Sequence, residues 1–134
     1  MNSSLLFLLL LSLTACGADN TLIANEQLSN ALAVSNVVKR EVRRTANASQ
    51  LVGLVIDIDL HNTALIPIER AFTVTWRLLE SNGNAFAVDV LRVERMSLGE
   101  VRRLIFTLEF PPTSTLSGLR DGLAFDFVDP PPSN

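Results

Sequence analysis

Apolar and polar residues alternate with a period of two along most of this chain. Val52, Leu54, Ile56, Ile58 and Leu60 alternate with Gly53, Val55, Asp57, Asp59 and His61. One face of that segment is wholly apolar and the other mostly polar, as a half-buried strand requires. Phe72, Val74, Trp76 and Leu78 repeat the pattern, interleaved with Thr73, Thr75 and Arg77. Ser81-Asn82-Gly83-Asn84 then supplies an Asn-Gly turn. A positive φ is cheap there, so Val74–Glu80 and Ala85–Val93 are predicted to form a hairpin. After Leu98-Gly99-Glu100 the alternation resumes in Leu104, Phe106, Leu108 and Phe110, and Pro111-Pro112 stops it. A last strand runs through Leu123, Phe125 and Phe127. Asp129 and the three prolines after it continue neither strand nor helix, so residues 129–134 read as a disordered Pro-rich tail.

Leu28–Arg44 fits two periods. Leu32, Val34, Val38 and Val42 suit a strand, while Leu28, Ala31, Leu32, Ser35, Val38 and Val42 suit a helical stripe. The β-branched content of Ala33–Val42 favours the strand. Short strands at roughly ten-residue spacing and no strong helix predict an all-β fold. The expected architecture is an immunoglobulin-like antiparallel β-sandwich of about six to seven strands, occupying residues 28–128. Trp76 shares its parity with Phe72 and Val74 and is expected in the core. One strand follows Pro111-Pro112, where a seven-strand sandwich usually has two. That leaves one sheet with an edge open to a partner's strand, unless Leu28–Arg44 covers it; the cover is the expectation.

The N-terminus follows a different rule. Leu5–Leu13 is almost entirely Leu and Phe, and small residues follow it. This is the layout of a secretory signal, too short to span a bilayer as a helix. Met1-Asn2-Ser3-Ser4 lacks the usual basic side chains. Leu13-Thr14-Ala15-Cys16 contains the one cysteine of the chain and resembles the lipobox of bacterial lipoprotein precursors. The resemblance covers residues 1–16. It implies cleavage between Ala15 and Cys16, a covalent lipid on the Cys16 thiol, and acylation (palmitate) of the new N-terminus. It further implies a lipid bilayer as partner, and Gly17 in place of an aspartate implies the outer rather than the inner membrane of a Gram-negative envelope. Residues 16–27 then read as the lipidated cysteine and a flexible tether. Without the lipid, the same segment would make this a secreted binding protein.

A second resemblance lies in the domain. Val55–Asn62 followed by Thr63-Ala64, then Phe72–Trp76, Asn82-Gly83 and Leu98-Gly99-Glu100, occur in the order used by CARDB- and FxLYD-type immunoglobulin-like modules. It covers residues 31–128 approximately. Ala64 replaces the usual glycine after Asn-Thr, and Ser97-Leu98 replaces the proline of the Pro-Gly-Glu corner. Such modules bind, space or stiffen, so the resemblance implies no catalytic residues.

All 11 basic and 14 acidic residues follow the signal segment, giving a net charge of −3. A mildly acidic exported domain has no electrostatic reason to bind nucleic acid. With Cys16 committed to lipid, no internal disulfide can form and the core alone must hold the fold. Asp57, Asp59 and His61 are the one cluster with ligand chemistry, and on a strand they share a face. Same-face neighbours stand nearly 7 Å apart, too far for bonds of about 2 Å to gather all three from a regular strand. They define an alternative reading, a small exported metal-binding protein or hydrolase. No Gly-x-Ser-x-Gly elbow or phosphate loop is present. The basic spots Lys39-Arg40, Arg43-Arg44, Arg92, Arg95 and Arg102-Arg103 each have a glutamate nearby and read as solvated surface. The leading expectation is a non-catalytic, membrane-anchored accessory or binding module of an envelope assembly, with no cofactor besides the covalent lipid and with a protein partner. Its candidate surfaces are Asn82-Gly83 and the loops Asn62–Glu69 and Pro111–Gly118.

Overall fold

The computed structural model describes residues 25–128. The signal peptide 1–15, Ala15 and Cys16 at the cleavage point, Gly17, most of the tether and the tail 129–134 lie outside the described residues. A short helix, α1 (Asn25–Ala31), leads into six strands: β1 (Leu32–Arg43), β2 (Leu51–Asn62), β3 (Phe72–Leu79), β4 (Ala85–Val93), β5 (Val101–Thr113) and β6 (Arg120–Phe127). They form two antiparallel three-stranded sheets, β1-β2-β5 and β4-β3-β6. The fold is an all-β sandwich. Strand β5 crosses over to pair with β2, and β6 crosses back to pair with β3. Immunoglobulin-like Greek keys pair B with E and C with F in the same way. The place beside β6, which that plan gives to strand G, holds no strand among the described residues.

The period-two faces become the two walls of the core. Leu54, Ile56, Ile58 and Leu60 of β2 and Leu104, Phe106 and Leu108 of β5 face Phe72, Val74, Trp76 and Leu78 of β3, all buried. Trp76 lies 5.6 Å from Phe106, centroid to centroid, at the middle of the sandwich. Gly53 has a steric reason to be glycine. A Cβ there would stand 2.9 Å from the Leu108 carbonyl oxygen of the neighbouring strand. The register shifts between Leu51 and Gly53, so Leu51 rather than Val52 turns into the core.

The structure departs from the sequence expectation at two places. Leu28–Arg44 is neither one strand nor one helix but both in turn. The helix takes in Asn25, Glu26 and Gln27 of the expected tether and plants Leu28, fully buried, in the core. Strand β1 then carries a bulge at Asn36, whose φ of 54° lies in the left-handed region. The extra residue reverses the parity. Before it Leu32 and Val34 lie opposite core-facing residues of β2; after it Lys39 and Glu41 do, across from Ile56 and Leu54. The second departure is at Pro111-Pro112. Strand β5 continues through them to Thr113, opposite Leu51, because the register shift absorbs both prolines on an edge strand that needs no donors on its outer side.

Candidate functional site

A two-sheet sandwich has two flanks, and here they differ. On the β4/β5 flank, Asp89 points inward from β4, opposite Trp76 in register. Its Oδ2 accepts the backbone N–H of Thr107 on β5 at 2.8 Å, and its Oδ1 accepts that of Val90 at 2.9 Å. One carboxylate thus ties the edges of both sheets together. That flank is closed.

On the other flank, β1 and β6 belong to different sheets and do not pair. At one end α1 lies against both and fills the gap with Leu28. The expected cover of the β6 edge is therefore partial. Seven helical residues extend about 10 Å, while the eight residues of β6 extend about 26 Å. Along the remaining length Lys39 of β1 and Asp121 of β6 link the two strands. Asp121 accepts the indole N–H of Trp76 at 2.9 Å and pairs with the Lys39 ammonium. The Lys39 nitrogen stands 5.9 Å from the Trp76 ring centroid, a cation–π contact. Beside this triad is a groove of about 450 Å³, floored by Leu54 and Leu78 and walled by Lys39, Glu41, Leu116, Leu119 and Asp121. Leucines below and charges at the rim make a surface able to seat an extended chain.

Loop Pro111–Gly118, a candidate from its sequence, supplies Leu116 to this wall. Asn82-Gly83 sits in the β3–β4 turn, where Gly83 takes φ of 90° and Asn84 receives a hydrogen bond from Glu80. Loop Asn62–Glu69 lies at the opposite end and contains a buried clamp. The Asn62 side chain is fully buried; its Nδ2 donates to the carbonyls of Ser97 (3.0 Å) and Ile66 (3.3 Å), and its Oδ1 accepts the Ala64 N–H at 3.0 Å. Sequence reasoning missed Asp121, Asp89 and this role of Asn62. The signal for Asp121 was available: counting back by twos from Phe127, Phe125 and Leu123 reaches it on the core face.

Asp57, Asp59 and His61 lie together on the outer face of the β1-β2-β5 sheet, each with its own neighbour. Arg103, one strand away, engages Asp57 through Nε at 2.8 Å. That hydrogen bond, with the charges of Arg103 and Arg40, holds the Asp57 carboxyl below its ordinary value against a smaller opposing effect of desolvation. Asp59 accepts from the Asn36 amide at 2.7 Å, while His61 sits opposite Ala33 and Val101. Among the described residues no group of three His, Cys, Asp or Glu side chains stands close enough to hold a metal ion. Five residues of the basic spots are ion-paired: Arg43 with Glu41, Arg92 with Glu94, Arg102 with Glu100, Arg103 with Asp57 and Lys39 with Asp121.

Fold and flank together define a small Greek-key β-sandwich with one closed and one open side. No protein-family model, curated protein or solved structure matches the chain.

Proposed function

We propose that this chain is an exported lipoprotein, anchored through Cys16 to an envelope membrane, whose sandwich binds an extended segment of a protein partner along the β1/β6 flank. The observation that carries the binding reading is the inequality of the flanks. Where Asp89 seals one side, the other has an edge strand with no neighbour among the described residues, beside a leucine-floored groove. An unpaired edge offers backbone donors and acceptors in a row, and a groove beside it selects side chains. The inward charges Lys39, Glu41 and Asp121 suit this role because they discourage indiscriminate pairing while leaving the edge usable. The anchor rests on the Leu13-Thr14-Ala15-Cys16 motif, and the accessory role on the resemblance of the domain to immunoglobulin-like modules that bind, space or stiffen.

The test places a photo-reactive phenylalanine analogue at Leu119, in the groove wall, or at Val90, on the outer face of β4, in the full chain expressed in its native membranes. The expected result is a discrete cross-linked adduct from Leu119 and none from Val90, lost when Cys16→Ser removes the anchor. Adducts from Val90 alone, or from neither position, contradict the reading.

A further inference from the structure

The most exposed large apolar side chains of the described residues are Leu65 at 70%, Leu98 at 61% and Val101 at 57%. All three lie at one end of the sandwich. Leu65 belongs to the loop after β2, Leu98 to the turn before β5, and Val101 opens β5 opposite His61. The buried Asn62 amide fixes the two loops to one another, since a single nitrogen holds the carbonyls of Ile66 and Ser97. An antiparallel bridge between Ile68 and Met96 repeats the link, with reciprocal backbone hydrogen bonds of 2.8 and 2.9 Å. Leu65 and Leu98 are each one residue from a clamped carbonyl, so they project from a braced platform rather than from loose loops. A soluble domain gains nothing from bracing its most exposed leucines side by side; such a patch marks a contact surface.

The chain itself says which surface. Thr63, at the root of the Leu65 loop, donates its N–H and its hydroxyl to the Ala31 carbonyl, at 2.8 and 3.0 Å. Ala31 ends α1, the element that leads back toward Cys16. From Cys16 to Asn25 there are nine chain steps, which span at most about 30 Å. If Cys16 is held in a bilayer, this end of the domain cannot leave its surface by more than that span and the length of the short helix. Arg95, with no hydrogen bond or ion pair from its side chain among the described residues, stands at this end beside Leu98. Arg70, stacked on Phe127, and Arg102, paired with Glu100, lie near it, against Glu69 and Glu100. With Glu94 and Asp126 also at this end the charges nearly balance, so attraction to anionic headgroups cannot hold the domain alone. The apolar side chains must supply the contact, and the anchor supplies the proximity.

We propose that the end of the sandwich bearing Leu65, Leu98 and Val101 rests on the membrane that holds Cys16, with those side chains at the headgroup–acyl boundary. This orients the domain, turning the β3–β4 turn away from the bilayer and setting the β1/β6 flank upright on it. The inference rests on the anchor proposed above and goes beyond it by specifying a second, noncovalent contact.

Lipidation leaves no other thiol in the chain, so one introduced cysteine can carry an environment-sensitive fluorophore. The full chain bearing Leu98→Cys or Asn82→Cys is labelled and reconstituted into vesicles of phosphatidylethanolamine and phosphatidylglycerol. The label at position 98 is expected to shift to the blue and to be quenched by nitroxide-bearing lipid, and the label at 82 to do neither. Adding Leu65→Ser to the Leu98→Cys chain is expected to reduce both effects. Equal, water-like emission at both positions overturns the proposal. Intact mass, read on the same samples, keeps the two ideas apart. A lipidated chain with a water-exposed label at 98 sinks the contact and leaves the anchor. An unlipidated chain with a membrane-immersed label sinks the anchor and leaves the contact. Failure of both readouts sinks both.

Discussion

Individual carboxylates do most of the polar work of this fold, each in a distinct setting. Asp89 ties two sheets, Asp121 serves Trp76 and Lys39, and Asp57 is held on the outer face by Arg103. Glu100 accepts the Ser97 N–H at 2.8 Å and pairs with Arg102, and these contacts hold its carboxyl below the usual range. Glu94 is lowered in the same direction by Arg92. A carboxylate whose folded value lies below its unfolded one adds stability that is fully present above the unfolded value. That stability is lost as pH falls through the folded value. The thermal midpoint is therefore expected to stay level from neutral pH down to about 5 and to fall below about 4. Asp57→Asn should lower the neutral midpoint and make the acid fall shallower. An unchanged acid limb in that variant would mean that Arg103 does not stabilise the ionised form. Each of these pairs has at least one side chain open to solvent, so their individual contributions are small and screened by salt.

At the scale of elements, α1 and β1 set the character of the open flank. Helix α1 is only seven residues long, too short to be stable alone, so tertiary contact must hold it. Leu28 supplies that contact by filling the end of the core between β1 and β6. Leu28→Ala should destabilise the domain by about 2–5 kcal/mol, the range for truncating a buried leucine, measured by urea unfolding. A change under about 0.5 kcal/mol would place the helix outside the cooperative unit. The bulge at Asn36 does the opposite for the rest of β1. By reversing the parity it turns Lys39 and Glu41 toward the gap and exposes Val38 and Val42, so the far half of the flank cannot close as a dry core.

The same elements show why the sequence was readable in some places and not in others. Residues 54–60 of β2, 72–78 of β3 and 104–110 of β5 carry regularly alternating apolar side chains on their buried faces, and period two sufficed to place them and the core tryptophan. The β3–β4 hairpin was legible because Asn82-Gly83 supplies a residue that accepts a positive φ. Leu28–Arg44 was ambiguous because a bulge breaks the period, and a broken strand period imitates a helical one. Pro111-Pro112 suggested a strand end because an edge that needs no donors cannot be recognised before the sheet order is known. The groove was half visible. The single strand after Pro111-Pro112 raised the question of an open edge, but Leu28–Arg44 was expected to cover it, and the meeting of Lys39, Trp76 and Asp121 depends on crossovers between sheets that local patterns do not encode. Asn62 gave no signal beyond its place at the end of an alternating run, where a buried amide and an exposed one look alike.

At the scale of the whole molecule, the described residues form a six-strand sandwich tied by one carboxylate on one flank and left unpaired on the other. The proposed function assigns binding to that flank, presented from a membrane by the chain that leads to Cys16. Residue-resolved amide hydrogen exchange on β6, in the purified protein and in the protein retained in its native membranes, tests that claim most directly. The prediction is that the β6 amides turned away from β3 exchange quickly in the purified protein and slowly in membranes, while β4 is unchanged. Strong protection of the whole of β6 in the purified protein, or no gain of protection in membranes, would contradict the account.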